Sequence, residues 1–114
     1  MKKLAIALAA IAVSAAAHAQ SWTGNDLLSR LQSDEHGPRM AALGYVRGIA
    51  DALQGEVFCP PDGVTYGQAY DVVANWLTVN AAQRHRGAGP LTVVALASTW
   101  PCKQQQQQRQ RSGA

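Results

Sequence analysis

The sequence predicts an all-α fold, a small bundle of about four helices tied by one disulfide between Cys59 and Cys102. Three observations carry that reading. Apolar residues recur at spacings of three and four along most of the chain, the pattern of helices with one buried face. Helix starts and stops are marked by Thr, Pro and Gly at the positions where those residues relieve unpaired backbone groups. Two cysteines flank the last two helical segments, Cys59 before a Pro-Pro turn and Cys102 after Trp100-Pro101.

Lys2 and Lys3 precede an apolar run from Leu4 to Ala17, and Ala17-His18-Ala19 offers small residues where a signal peptidase cuts. Residues 1–19 are therefore expected to be a signal peptide, with the mature chain starting at Gln20. The run is short for a bilayer span and polar residues follow it, so no membrane anchor is expected in the mature protein. A buried N-terminal helix is the alternative. Export to the periplasm, an oxidising compartment, favours a disulfide between the cysteines over metal ligation or pairing between chains.

The first helix is expected from Thr23 or Asn25 to about Ser33, with Leu27, Leu28 and Leu31 on one face. Asp34-Glu35-His36-Gly37 breaks the pattern, and Pro38 suits the first turn of a second helix because its missing donor would be unpaired there. That helix is expected to reach Gln54 and stop at Gly55. Met40, Leu43, Tyr45 or Val46, Ile49 and Leu53 form its apolar face. Gly44, Gly48 and Ala52 form a second line, read as a groove into which another backbone packs, or alternatively as a ligand pocket.

Thr65 and Gln68 stand three apart, the spacing at which each side chain bonds the other's free backbone donor, and they open a third helix. Tyr66, Ala69, Tyr70, Val73, Trp76 and Leu77 are its expected core stripe, with ligand stacking as the alternative. A polar loop from Asn80 to Gly89 follows. Pro90 opens a fourth helix with Leu91, Val94, Ala95 and Trp100 inward, although the β-branched run at 92–94 also suits a short strand. Pro101 stops it. Closing Cys59 to Cys102 spans some 44 residues, which chain-entropy reasoning values at about 4 kcal/mol.

From Gln20 onward eight basic residues face seven acids, and three of the basic ones, Lys103, Arg109 and Arg111, lie in the tail. The body is thus slightly acidic and lacks the clustered cations that nucleic-acid binding needs. Residues 103–114, a glutamine run without apolar anchors, are expected to be disordered, with a weak contact to anionic lipid or cell-wall polymer as an alternative role. Residues 20–102 then form one domain.

No catalytic set is legible. A hydrolase needs a nucleophile, a base in reach and a group to orient that base. His85 sits between Arg84 and Arg86, His36 in a polar turn, and Cys59 is a nucleophile only if Cys102 leaves it free. No His, Cys or carboxylate ligands stand at chelating spacing, and no glycine-rich phosphate loop is present. No enzyme activity, metal or other cofactor is expected.

Gly44-Tyr45-Val46-Arg47-Gly48-Ile49-Ala50-Asp51-Ala52-Leu53, then Phe58-Cys59, Pro61, Gly63-Val64-Thr65, Gln68, Val72-Val73, Arg84-His85 and Trp100-Pro101-Cys102 resemble, in that order, the Rap/Tai family of immunity proteins. The resemblance spans about Leu27 to Cys102. It implies a small exported helical protein, a possible homodimer, that protects a bacterium by inhibiting a type VI secretion effector, an amidase that cuts peptidoglycan peptides. Members usually carry two further cysteines where this chain has Leu31 and Ala42, which implies the loss of one whole disulfide offset by apolar burial. An inhibitor that occludes an active site does so through exposed loops. The loop around Arg84, His85 and Arg86 is the first candidate, Asp34 to Gly37 the second; Arg84 and His85 could equally hold their loop to a helix end by bonding free carbonyls. The competing readings are a small periplasmic acid-stress chaperone, a helical binding module of other purpose, and an enzyme acting through His85 or Cys59.

Overall fold

A computed structural model describes residues 21–103 and 110–113. The expected signal peptide and most of the glutamine-rich tail lie outside the described residues; within the tail, Lys103 and Gln110 to Ser112 have helical backbone. Four α-helices follow in order: α1 Gly24–Leu31, α2 His36–Leu53, α3 Tyr66–Val79 and α4 Ala88–Thr99, with a 3-10 turn Ala81–Gln83 before α4. Among the described residues extended pairing is limited to two isolated bridges, Thr23 with Gly87 and Gln54 with Phe58.

Local chemistry explains the boundaries. Thr23 caps α1: its backbone N–H donates to the Asp26 carboxylate at 2.9 Å, and the Asp26 N–H donates back to Oγ1 of Thr23 at 3.2 Å. Thr65 and Gln68 make the same reciprocal pair at the start of α3, with distances of 2.9 and 3.2 Å. Neither Glu35 before α2 nor Gly87 before α4 bonds the helix start through a side chain. Helix α2 begins two residues before Pro38, at His36. Pro38 still lies in the first turn, where helix N–H groups have no intrahelical partner. The segment at 92–94 is helical; the Thr92 hydroxyl, fully buried, donates to the Ala88 carbonyl at 2.8 Å and so is itself paired within the core.

The core is one cluster. Leu27, Leu28 and Leu31 from α1 meet Val46 from α2, Val73 and Leu77 from α3, and Leu91 and Leu96 from α4, with Phe58 closing one end. Leu31 and Ala42, the positions where the resemblance implies cysteines, are both buried in it. Val46 on α2, Ala69, Val73 and Leu77 on α3, and Leu91 and Ala95 on α4 are buried as expected, while other positions on these helices differ. Ala42, Val46 and Ala50 form the buried line of α2, Met40 is 50% exposed, and a Cβ built at Gly44 or Gly48 meets nothing within 4 Å. Among the described residues no backbone packs into the small-residue line. Tyr66 and Val94, expected inside, are 40% and 47% exposed; Thr92 and Leu96 take the inward places on α4.

The disulfide Cys59–Cys102 is formed, with Cα atoms 4.8 Å apart, and the Cys59 N–H donates to the Trp100 carbonyl at 2.8 Å beside it. It fastens the turn before α3 to the end of α4. Within that turn Val64 N–H reaches back to the Pro61 carbonyl, and Gly63 takes φ 91°, a conformation that a side chain would strain.

Candidate functional site

The loop Arg84-His85-Arg86 joins the 3-10 turn to α4 and sits against the entry of α1. Three main-chain hydrogen bonds seat it: Gly24 N–H to Arg86 O at 2.9 Å, Asn25 N–H to Arg84 O at 2.9 Å and Ala88 N–H to Trp22 O at 2.7 Å. The first N–H groups of a helix have no partner of their own, so α1 offers its free donors and the loop supplies carbonyls. The attachment runs opposite to the one considered from sequence. Side chains of Arg84 and His85 do not bond a helix C-terminus; the backbone of the loop bonds a helix N-terminus.

Gly24 makes that approach possible. A Cβ there would stand 2.6 Å from Cδ1 of Leu91 and 3.0 Å from the Arg84 carbonyl oxygen, so only hydrogen fits between helix and loop. The stacked rings of Trp22 and Tyr45, centroids 5.1 Å apart, and the Arg30 guanidinium 4.3 Å over Trp22 complete the seat. His85 and Arg86 face solvent, while Arg84 is half-buried and its Nε is enclosed without a hydrogen-bond partner. Two bonds from Thr23, the backbone N–H first and the hydroxyl second, hold the Asp26 carboxyl below its ordinary pKa.

The second loop candidate lies elsewhere. Asp34 to Gly37 stands at the far end of α1, about 12 Å away by helix rise, and His36 and Gly37 are already the first turn of α2. The two loops therefore stand at opposite ends of α1. His36 and His85 are not brought together with Cys59, which the disulfide occupies.

At the opposite end of the bundle the structure shows a feature that was not read from the sequence. A groove of about 490 Å³ opens between the end of α2, the 58–65 turn, the start of α3 and Trp100. Buried Ala50, Phe58 and Ala69 line it together with Pro60, Pro61 and Tyr66 and with polar Gln54, Asp62 and Thr65. Tyr66 is held in place: its hydroxyl donates to Asp51, and the Arg47 guanidinium lies 4.2 Å over its ring. The hydrogen bond to Asp51, chiefly, raises the phenol pKa. The i, i+4 spacing of Arg47 and Asp51 is a signal the sequence offers for this pair, but Tyr66 joins them only through the packing of α3 on α2. Among the described residues no three His, Cys, Asp or Glu side chains cluster as a metal site, and no helix is long and apolar enough to cross a membrane.

A family model described as Rap1a immunity proteins matches residues 23–102, from the cap of α1 through the second cysteine. No curated protein matches the chain.

Proposed function

The chain belongs to the Rap1a immunity protein family, and from that membership we propose that it is a periplasmic inhibitor of a type VI secretion effector, a peptidoglycan amidase whose catalytic cleft it buries. The observation that carries the reading is the extent of the match, which takes in all four helices and both ends of the disulfide. Immunity proteins work by binding a partner effector. The disulfide fits an oxidising compartment, and with the expected signal peptide, residues 1–19, it supports export with cleavage near Ala19. The mature domain is then residues 20–102, followed by the tail 103–114.

In this proposal the loop Arg84-His85-Arg86 contacts the effector. Its backbone is fixed before binding, so little conformational freedom is lost when His85 and Arg86 are covered. The protein acts by blocking and carries out no reaction of its own. A homodimer belongs to the same reading.

The test is a titration of the purified protein with the secreted amidase encoded beside its own gene, paired with a peptidoglycan-cleavage assay. A stoichiometric complex with loss of cleavage is expected. Absence of both binding and inhibition for every secreted amidase encoded nearby overturns the proposal.

A further inference from the structure

The groove at the staple end has a composition that selects its occupant. Apolar Ala50, Phe58, Val64 and Ala69 alternate with polar Gln54 and Thr65, the only charged lining residue among the described residues is Asp62, and no cation lines it. Arg47, the cation nearest by its contact with Tyr66, is already committed to that ring and to Asp51 at 3.8 Å. Among the described residues Asp62 has no ion-pair partner. Buried apolar residues beside an unpaired carboxylate suit a side chain with an apolar stem and a cationic head, which lays its methylenes along the groove and leaves its charge at the rim.

The walls are fixed in advance. Pro60 and Pro61 follow a cysteine held by both the disulfide and the Cys59–Trp100 main-chain bond, and Tyr66 is pinned by Asp51 and Arg47. We infer that this groove is a second anchoring point for the effector, taking an extended segment that presents an Arg or Lys side chain between apolar neighbours. The inference rests on the immunity reading and adds the chemistry of the segment recognised. Distance allows both anchors on one partner. Helix α4 separates them by about 18 Å of rise, less than the roughly 30 Å breadth of an 800 Å² patch. Pro90, Val94 and Ser98 form an exposed line along α4 between the two ends.

Two arms test this. In the first, the isotopically labelled protein is titrated with acetyl-Leu-Arg-Leu-amide and with acetyl-Leu-Glu-Leu-amide while its amide and indole resonances are followed. Saturable shifts confined to Phe58, Val64, Tyr66 and Trp100 are expected for the arginine peptide alone, with D62N weakening binding about tenfold. Shifts elsewhere, equal response to the glutamate peptide, or no effect of D62N overturn the inference. In the second arm, D62K and V64E, shown to be folded by near-ultraviolet circular dichroism, are titrated with the neighbouring amidase. A loss of about tenfold or more for each is expected. If the unaltered protein binds the amidase and both variants bind as tightly, the groove inference fails and the immunity reading stands. If the unaltered protein binds no amidase, the immunity reading fails, and the peptide arm alone decides the groove.

Discussion

The two ends of the bundle are held by different means. At the end of α4 that carries Trp100, a covalent bond between Cys59 and Cys102 closes the structure around a groove whose one lining charge is acidic. At the other end, nothing covalent is present; the loop of Arg84 and Arg86 rests on three main-chain hydrogen bonds and a glycine with no room for a methyl group. A crosslink acts mainly by restricting the unfolded chain, whereas backbone bonds and close packing act in the folded one. Insults that loosen one end should therefore leave the other readable.

The largest effect belongs to the covalent end. Replacing Cys59 and Cys102 by Ala is expected to lower the unfolding free energy by about 4 kcal/mol in urea titration, a loss comparable with the whole stability of a small domain. An unchanged midpoint would mean that the main-chain bond from Cys59 to Trp100 and the Phe58 packing suffice without the crosslink.

Next comes Gly24→Ala, which forces a carbon to within 2.6 Å of Leu91 and is expected to cost about 1–3 kcal/mol as overpacking. Amide exchange at Gly24 and Asn25 should accelerate, while Cys59 N–H keeps its protection. Loss of protection at both ends would show the bundle to be one cooperative unit, and the contrast between its ends would vanish.

Thr23→Ala removes a cap and is expected to cost about 1 kcal/mol near neutral pH. The sign of its pH dependence follows from Asp26. A carboxyl depressed in the folded state contributes stability above its unfolded pKa and loses it as pH falls through the folded value. The gap between the wild type and Thr23→Ala should thus narrow in acid, measured by thermal unfolding from neutrality to below the ordinary carboxylate range. A gap that widens in acid would contradict the capping-box geometry.

The smallest expected change has the opposite sign. Gly48→Ala places a methyl group in open space on a helix interior and should stabilise by about 0.5–1 kcal/mol. A destabilised variant would show that a second molecule covers this face in solution, and a parallel shift in sedimentation would identify the homodimer as the cause.

Much of the scaffold was legible because its signals are local. Thr65 with Gln68, Pro38, and Pro101 beside Cys102 each act over a few residues, and each stands where its backbone chemistry requires. The buried faces were less legible. Periodicity marks a stripe on a helix but not how far the helix is rolled against its neighbours, so it points Met40, Tyr66 and Val94 inward where the structure exposes them, and it does not single out Thr92 and Leu96 as core. Gly44 and Gly48 were ambiguous for a related reason, since small residues suit both a close contact and an uncovered face. Of the candidate site, the loop was visible as a polar cluster, but its seat on α1 joins residues 24 and 25 to 84 and 86. The groove was invisible in sequence because its walls come from four separate stretches between Ala50 and Trp100.

The bonds from Trp22, Gly24 and Asn25 to the 84–88 segment also fix an order of events. The leading amides of the first helix find their loop partners only after the chain has emerged as far as Arg86. A polypeptide still being made or secreted, and stopped short of that residue, carries α1 with its leading amides open to water. Docking of the first helix is thereby coupled to synthesis of the loop that precedes α4.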